Sequence, residues 1–341
     1  MLNKGVKMKN RSRYKLARFM RLVLPLALLT APLAFSQSVE ELIDSYSGKA
    51  VWDGDSGELI FATAGIVTFV NKGDPKRHFW NVPVEVKTIT IEPDVRVVCA
   101  FHTQADCTIR GKHRMTSMVY GTDYRSWAKK MGVKAFRHCQ FQNFGGVLTI
   151  QNLTSVNPFG FHVRGEGNVV MVSDCDFIDN RGGSGNHSDG IEGGDGSVIE
   201  NCYFRTGDDV IKVYNDITVK DCTIFMEQNA VPIQLGWANT GDDVGNFYNL
   251  MIEGDSGRNN DDFAIIVGRR GSYTKTINIY GCEIRNPNAS WISLREEGMT
   301  VNGEVTDAVI DIKQYWAKHD KGKSEMTICG SQEQTHLYQC E

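Results

Sequence analysis

Short runs rich in Val, Ile, Thr and Phe recur along this chain from about residue 84 and are separated by Gly, Asn and Asp. This pattern is typical of half-buried β-strands joined by tight turns. Equivalent positions recur at intervals of about 20 to 32 residues, and one short helix, VEELIDSY, is predicted ahead of them. The clearest runs are VEVKTITI, VRVVCAF, TSMVY, GGVLTIQNLTSV, NVVMVSDCDFIDN, SVIENCYFRT, ITVKDCTIFM, NFYNLMIEGD, TINIYGCEIRN and AVIDIKQY.

Two consecutive runs are near copies of one another. Residues 189–204 align without a gap with residues 209–224, so that Glu192 matches Lys212 and Cys202 matches Cys222. A repeat near twenty residues is typical of a solenoid of stacked coils. A β-sandwich also has short strands and turns, but it does not give near-identical neighbours at a fixed interval. The sequence therefore predicts an all-β fold, a right-handed parallel β-helix.

The same alignment brings acidic residues together. Stacked parallel strands lie about 4.8 Å apart, so Asp189 and Asp209 should be neighbours, with Asp208 beside them. Alignment of residues 162–175 one coil earlier predicts that His162 is level with this pair; His162 and His187 would then either orient a carboxylate or cap a turn. Aspartate is common in turns because it binds nearby backbone N–H groups, which explains one such residue better than three.

Three converging carboxylates predict a specific chemistry. Like charges a few ångströms apart cannot all ionise freely, so at least one pKa should rise. Hydrolysis of a glycosidic bond needs one protonated and one ionised carboxyl group. The carboxylic acid protonates the leaving oxygen while the carboxylate activates water.

Further polar residues are expected around the aspartates. VPIQLGW aligns one coil later and places Gln234 level with Lys212 and Trp237 close by. Glu192 and Lys212 are either an ordinary cross-strand ion pair or contacts to a substrate. The ring of Trp237 either stacks on a sugar face or packs in the interior.

The first 36 residues have the pattern of an export signal. Eight basic residues precede an apolar run of about 14 residues that contains two prolines, and Ala34-Phe35-Ser36 supplies a small-x-small cleavage pattern. A membrane span needs about 20 apolar residues, so we expect cleavage rather than anchoring. Residues 37–341 would then be one secreted or periplasmic domain with no attachment to the membrane.

Removal of the leader changes the charge of the protein. The mature chain would hold 29 basic and 41 acidic residues, a net charge of −12. Such a surface repels polyanions, so nucleic acid is not expected as a partner and a heavily charged glycan is disfavoured. No Cys/His spacing indicates zinc and no cofactor is expected; a monomer is predicted. Asp242-Asp243 and Asp261-Asp262 lie in loops and are either calcium ligands or solvated acids.

Eight of the nine cysteines fall into two groups. Four occupy the same place in the repeated phrase and are expected to form an inward-facing ladder of free thiols that pack as small apolar groups: Cys175, Cys202, Cys222 and Cys282. A disulfide is expected between Cys329 and Cys340 and, as a second choice, between Cys99 and Cys107.

The motifs SDGIEGG, GDDVIKVY and VPIQLGW resemble those of glycoside hydrolase family 49, the dextranases and isopullulanases, and more distantly family 28, the polygalacturonases. The resemblance covers about residues 135–300 and is closest over 186–238. It implies a pectin-lyase-like right-handed β-helix and an inverting mechanism with three aspartates. Carried over by position, Asp208 would be the general acid, and Asp189 and Asp209 the pair that activates water.

Several details favour family 49 over family 28. The interval from Asp189 to Asp208 is one coil of nineteen residues, and VPIQLGW stands where family 28 has a His-Gly motif. The RIK motif of family 28 is missing, while Arg295 in WISLREE lies where a family 49 arginine that binds substrate is expected. The chain departs from family 49 because fewer than about fifty residues precede the coils, too few for that family's N-terminal β-sandwich.

The sequence therefore predicts an exported, inverting and endo-acting hydrolase of a polysaccharide, with an α-glucan such as dextran as first choice. A hydrolase of a pectic or sulfated galactan is one alternative. A lyase on the same fold would need a Lys or Arg base and usually Ca²⁺. A non-catalytic glycan-binding β-helix would keep the coils and a groove but would not need three aspartates at one level.

Overall fold

The computed structural model describes residues 38–67, 79–123, 139–182, 188–227, 229–237, 241–254 and 263–329. All of them belong to one unit, Ser36–Glu341. A helix, α1 (Val39–Ser45), comes first, and its start is fixed by a capping box in which Ser38 and Glu41 each accept a hydrogen bond from the other's backbone N–H. This is the helix that the sequence predicted. No helix among the described residues is long and apolar enough to cross a membrane.

Thirty strands follow in the described part of the chain. The strands ahead of the aspartate repeat are β1 (Ala50–Asp53), β2 (Glu58–Phe61), β3 (Gly65–Ile66), β4 (Phe79–Asn81), β5 (Thr88–Ile91), β6 (Arg96–Val98), β7 (Ala100–Thr103), β8 (Cys107–Gly111), β9 (Met118–Tyr120), β10 (Phe141–Asn143), β11 (Leu148–Gln151), β12 (Thr154–Val156), β13 (Val163–Arg164), β14 (Val170–Ser173) and β15 (Asp176–Ile178). The remaining strands are β16 (Ile191–Glu192), β17 (Ser197–Glu200), β18 (Tyr203–Arg205), β19 (Ile211–Val213), β20 (Ile217–Lys220), β21 (Thr223–Phe225), β22 (Ile233–Gly236), β23 (Val244–Tyr248), β24 (Met251–Glu253), β25 (Ala264–Arg269), β26 (Tyr273–Tyr280), β27 (Glu283–Leu294), β28 (Met299–Thr306), β29 (Val309–Asp320) and β30 (Lys323–Cys329).

The strands stack into three ladders, and each full coil adds one strand to each ladder. The site ladder runs β4-β7-β10-β13-β16-β19-β22-β25. The second ladder runs β1-β2-β5-β8-β11-β14-β17-β20-β23-β26-β28-β30. The third runs β3-β6-β9-β12-β15-β18-β21-β24 and joins the site ladder through the long strands β27 and β29. Every pairing between these named strands is parallel except β1 with β2, which confirms the predicted parallel β-helix.

The strand register confirms the repeat. Glu192 pairs with Lys212, and Lys212 pairs in turn with Gln234 on the next coil. One coil earlier the register differs by one residue from the prediction, because Arg164 pairs with Glu192. Phe161 rather than His162 is therefore level with Asp189. A slip of one residue moves a side chain to the opposite face of a strand, so this correction matters for the site.

A recurrent corner explains the repeated phrase around the cysteines. A residue with positive φ comes first and turns the chain from the second ladder into the third, and a buried apolar residue follows it. Asn and Asp tolerate this left-handed conformation better than other side chains do. These corner residues are Asn152, Asp174, Asn201, Asp221, Asn249 and Asp307.

Three cysteines follow the corners Asp174, Asn201 and Asp221, and Cys282 follows Gly281, whose φ is also positive; all four are buried and free. Cys175, Cys202, Cys222 and Cys282 lie in the core as predicted. The expected bridge between Cys99 and Cys107 is wrong, since both are free thiols packed inside the coils. Cys329 is disulfide-bonded, and its expected partner, Cys340, lies outside the described residues. Much of the interior is apolar, with stacked rings such as Phe177 on Phe204 at 5.1 Å between centroids.

Candidate active site

Three aspartates meet where the chain enters the site ladder. Asp189 lies two residues before β16, and Asp209 lies two residues before β19 on the next coil, with Asp208 adjacent. One carboxylate oxygen of each lies within 4.8 Å of an oxygen of the other two. Asp208 is 2% exposed and Asp209 is 6% exposed. The backbone holds the two coils in step, since the N–H of Gly190 donates to the carbonyl of Asp209 over 2.8 Å.

A buried ammonium lies between two of these carboxylates. Lys212 Nζ is 2.6 Å from Oδ1 of Asp189 and 3.0 Å from Oδ2 of Asp209. It also donates over 3.2 Å to Oε1 of Gln234, which accepts a second hydrogen bond of 2.8 Å from the Tyr214 hydroxyl. The side chain of Lys212 is only 3% exposed. The long side chain thus reaches back from its strand to the two aspartates.

Burial and neighbouring charges shift the pKa values of the titratable groups in this cluster. Burial, followed by repulsion from the Asp189 and Asp209 carboxylates, raises the pKa of Asp208 well above its usual range. Burial also raises the pKa of Asp189, but Lys212 acts in the opposite direction. Burial alone would lower the pKa of Lys212, and its two carboxylate neighbours outweigh that and raise it. The arrangement therefore favours a neutral Asp208 beside a charged lysine and the other two aspartates.

Hydrogen bonds from the surrounding loops fix Asp208. Asn229 Nδ2 donates over 2.6 Å to Oδ1 of Asp208. The Thr206 hydroxyl donates to the Asp208 carbonyl over 2.8 Å, and the N–H of Gly207 donates to the Ser188 hydroxyl over 2.7 Å. Both the backbone and the carboxyl group of Asp208 are thus held in place.

The predicted pair of Glu192 with Lys212 has different partners in the structure. The two residues are level, but Lys212 turns to the aspartates and Glu192 pairs with Arg164, whose Nε is 3.1 Å from Oε2. Nη1 of the same guanidinium lies 3.2 Å from Oε1 of Glu166, which also accepts from Gln142 over 2.7 Å. Burial raises the pKa of Glu192, and Arg164 partly offsets this.

His162 lies in the interior and not beside the aspartates. It is fully buried, its Nδ1 is 2.8 Å from the Ser155 hydroxyl, and its ring contacts Phe177 at 5.3 Å. Burial lowers its pKa to about 3. Phe161 lies at the position predicted for His162, and its ring centroid is 5.1 Å from Lys212 Nζ. His187 lies outside the described residues.

Trp237 and Arg295 directly follow the C-terminal ends of β22 and β27, whereas the aspartates precede the N-terminal ends of their strands. The register places Val231 level with Asp209 on the next coil. Trp237 is six residues after Val231, which corresponds to about 20 Å along an extended strand. Its φ is 59°, and the Arg270 guanidinium lies 4.2 Å from its ring centroid. The N–H of Arg295 donates to the Gly268 carbonyl over 3.3 Å. These two residues do not join the carboxylates but line the far end of the same ladder.

Two acidic clusters in the described residues have oxygen spacings that could hold a cation. The first is the aspartate cluster itself, where the ammonium of Lys212 already lies between two members. The second is Asp195, Asp216 and Asp243, in which Asp243 is paired with the buried Lys275. This second cluster contains one of the loop acids for which calcium was considered. Asp261-Asp262 lies outside the described residues.

Comparison with known proteins finds a similar solved structure and a relative with local sequence identity. Dex49A from Penicillium minioluteum superposes with a TM-score of 0.51 at 15% identity, over 86% of this chain and 59% of that one. The fold is the one found in Dex49A. A dextranase from Arthrobacter sp. (strain CB-8) is 36% identical over 66 residues, which are 19% of this chain and 10% of the relative. The chain thus spans only part of both relatives, and no protein-family model matches it. The expected likeness to family 49 is confirmed.

Sequence reasoning missed four residues of the site: Phe161, Arg164, Tyr214 and Asn229. Arg164 and Phe161 follow from the correct register with Glu192 and Asp189. The apolar positions of the second ladder do not reveal this register, because Val172 pairs with Ile199 at an interval of 27 residues while Arg164 pairs with Glu192 at an interval of 28. Tyr214 stands two residues after Lys212 in VIKVYN and so shares its face of the strand. Asn229 lies in a loop ahead of β22, where no repeat indicates its contact with Asp208.

Proposed function

We propose that the protein is an exported glycoside hydrolase that cleaves a neutral polysaccharide, with an α-glucan such as dextran as the first substrate to test. One observation carries the proposal: a buried carboxyl group whose pKa is raised lies beside two carboxylates that share an ammonium. A carboxylic acid that can donate a proton and a carboxylate that can accept one are then available within one small site.

In this proposal Asp208 is the general acid. Its proton goes to the glycosidic oxygen as the bond from that oxygen to the anomeric carbon breaks. Water attacks the anomeric carbon from the other face, and the pair Asp189 and Asp209 accepts the proton of that water. A proton returned from solvent to Asp208, and one lost from the pair, restores the starting state.

The stereochemical outcome follows from the resemblance to family 49, which implies inversion. Separations of about 6.5–9.5 Å between the two carboxyl groups are usual for inversion, and about 5 Å for retention. Here the closest oxygens of the three groups lie within 4.8 Å, a spacing that by itself would fit a covalent intermediate. We propose inversion, with the aspartate pair holding the attacking water. The anomeric configuration of the first product released distinguishes inversion from retention.

The charges around the site favour a neutral substrate. Lys212 is paired with two aspartates and Arg164 with two glutamates, Glu192 and Glu166. The cations of this region are therefore outnumbered by carboxylates, which repel a uronate or sulfate ester. This supports an α-glucan over a pectic or sulfated polymer. The local identity to a dextranase supports the same choice.

The experiment compares the protein lacking residues 1–36 with its Asp208→Asn variant. Reducing-sugar release is measured on dextran, pullulan, polygalacturonate and marine galactans, and proton NMR follows the first anomer formed. We expect activity on a neutral glucan, inversion, and a loss of at least about a thousandfold in the variant. The exposed Asp307→Asn is the matched control and should keep full activity.

Each alternative has its own result in that experiment. Absorbance near 235 nm from unsaturated product would identify a lyase. Binding of a glycan without release of reducing sugar, unchanged by Asp208→Asn, would identify a binding protein. Activity that survives the substitution would mean that Asp208 is not the acid. Export is tested separately by sequencing the N-terminus of the protein that leaves the cell, which should begin at Gln37.

A further inference from the structure

We infer that Lys212 is a positioning residue: its ammonium holds the Asp189 and Asp209 carboxylates together and does not contact the substrate. This inference deepens the proposed function and rests on it. It replaces the expectation that Lys212 binds substrate.

The donors of Lys212 are fully used. A lysine ammonium has three N–H donors, and Nζ lies at 2.6 Å from Asp189, 3.0 Å from Asp209 and 3.2 Å from Gln234. With three acceptors for three donors and a side chain that is 3% exposed, no donor remains for a sugar hydroxyl.

The third acceptor is itself held in one orientation. Tyr214 donates its hydroxyl proton to Oε1 of Gln234 over 2.8 Å, while Nε2 of the same amide donates to the Leu235 carbonyl over 3.1 Å. A flipped amide would direct N–H groups at the ammonium and at the tyrosine hydroxyl. Gln234 and Tyr214 therefore fix the ammonium at the point where it meets both aspartates.

Two aromatic rings limit the access of water to the ammonium. The ring centroid of Phe161 is 5.1 Å from Nζ, and that of Tyr214 is 5.9 Å away. Both rings are close enough for a cation–π attraction. The cation is thus held by packing as well as by charge.

The ammonium is the positive charge that balances the aspartate cluster. The titratable groups that act on it are Asp189 from the coil before, Asp208 and Asp209 ahead of its own strand, and Tyr214 after it; Glu192, level with it on β16, is acted on by Lys212 in turn. Without the ammonium, the buried carboxylates of Asp208 and Asp209 and the partly exposed carboxylate of Asp189 would face one another with no balancing charge. The cluster would then bind a further proton at neutral pH, and the pair would lose its capacity to accept a proton from water.

The first test is a kinetic comparison of Lys212→Met with the wild type. We expect kcat to fall at least about a hundredfold at pH 6, the acidic limb of the pH–rate profile to move to higher pH, and KM to change less than about threefold. Lys212→Arg, which keeps the charge, should restore part of the profile. A normal acidic limb combined with a large rise in KM would overturn the inference and return Lys212 to substrate binding.

A matched control separates positioning from folding. Lys275 is likewise buried and ion-paired, to Asp243, but it lies on the second ladder. Lys275→Met should lower the melting temperature to an extent similar to Lys212→Met and should leave the pH profile unchanged. A shift of the profile in Lys275→Met would mean that the effect reports general destabilisation.

A second measurement does not need activity. Aspartate labelled with ¹³C at the carboxyl carbon is titrated by NMR in the wild type and in Lys212→Met, with Asp189→Asn and Asp209→Asn for assignment. We expect the carboxyl titrations of this pair to move to higher pH in Lys212→Met. Unchanged titrations would overturn the inference. If the wild type hydrolyses no glycan, the proposed function fails and this titration still decides the role of Lys212.

Discussion

Asn229 donates a hydrogen bond of 2.6 Å to Oδ1 of Asp208, from a loop twenty-one residues further along the chain. The bond occupies one oxygen of a buried carboxyl group and leaves the other to carry the proton. Because burial and the acidic neighbours raise the pKa of Asp208, that proton is retained to higher pH than on an ordinary aspartate. Asn229 therefore selects the oxygen from which an acid could act.

Replacing Asn229 with leucine should weaken catalysis and change its pH dependence. Loss of a hydrogen bond to a carboxyl group that ionises during the reaction costs about 1.5–3 kcal/mol, so kcat should fall roughly tenfold or more. A donor to a carboxylate favours its ionised form, so its removal should move the basic limb of the pH–rate profile to higher pH. The measurement is kcat against pH on the substrate found in the glycan panel.

Asn278→Leu is the control for this variant. Asn278 Nδ2 donates over 2.9 Å to Oδ1 of Asn246 on the second ladder, so the variant loses one amide hydrogen bond away from the aspartates. It should leave both limbs where they are. A basic limb that stays in place in Asn229→Leu would show that the hydrogen bond does not act on the acid.

The substitution Asp208→Asn should make the folded protein more stable while it removes activity. A carboxyl group with a raised pKa in the folded state contributes stability at low pH and loses it as the pH rises from the unfolded value near 3.8 through the folded one. Asparagine removes that loss and still offers an oxygen to Asn229. The melting temperature of the variant should therefore exceed that of the wild type at pH 8, by about 2–4 °C for each kcal/mol recovered.

The dependence on pH distinguishes this effect from a general one. The difference in melting temperature between Asp208→Asn and the wild type should shrink as the pH falls toward 4. Asp307→Asn, at an exposed corner with φ of 52°, should show no such dependence. A variant that is less stable than the wild type at pH 8 would contradict the raised pKa of Asp208.

The coils were predictable because their signal is local. Alternating apolar residues set the strands, and a corner residue with positive φ followed by an inward apolar residue recurs along the coils, as at Asn201 and Asp221, which each precede a cysteine. The near-identical segments then gave the register of Glu192 with Lys212. Both the parallel β-helix and the meeting of the aspartates follow from these short-range patterns.

The contacts made by side chains were not predictable in the same way. Alignment fixes which residues are level but not where a long side chain points, so Lys212 turned out to reach two aspartates and not Glu192. His162 was misplaced because its coil differs in length from the next, and an error of one residue reverses inside and outside. Phe161 took its place beside Lys212 for the same reason.

The free cysteines should be protected in the folded protein. Burial raises the pKa of Cys202 and Cys99, so that reactive thiolate is scarce as well as inaccessible. We expect Ellman's reagent to react with less than about one thiol per molecule before unfolding, and with seven after unfolding without reductant. Rapid reaction of several thiols in the native state would contradict the inward ladder.

The neutral, buried imidazole of His162 should make the protein sensitive to mild acid. Its pKa is lowered from the ordinary value of 6.5 to about 3 by burial, so its contribution to stability is complete above pH 6.5 and is lost as the pH falls toward 3. The loss is about 1.4 kcal/mol for each pH unit in that window, or about 2 kcal/mol between pH 7 and pH 5. His162→Gln, which can still bind the Ser155 hydroxyl, should lose about 2 kcal/mol less than the wild type over this range in urea unfolding. The exposed His113→Gln should follow the wild type, and equal losses in His162→Gln and the wild type would mean that the imidazole is not held neutral in the interior.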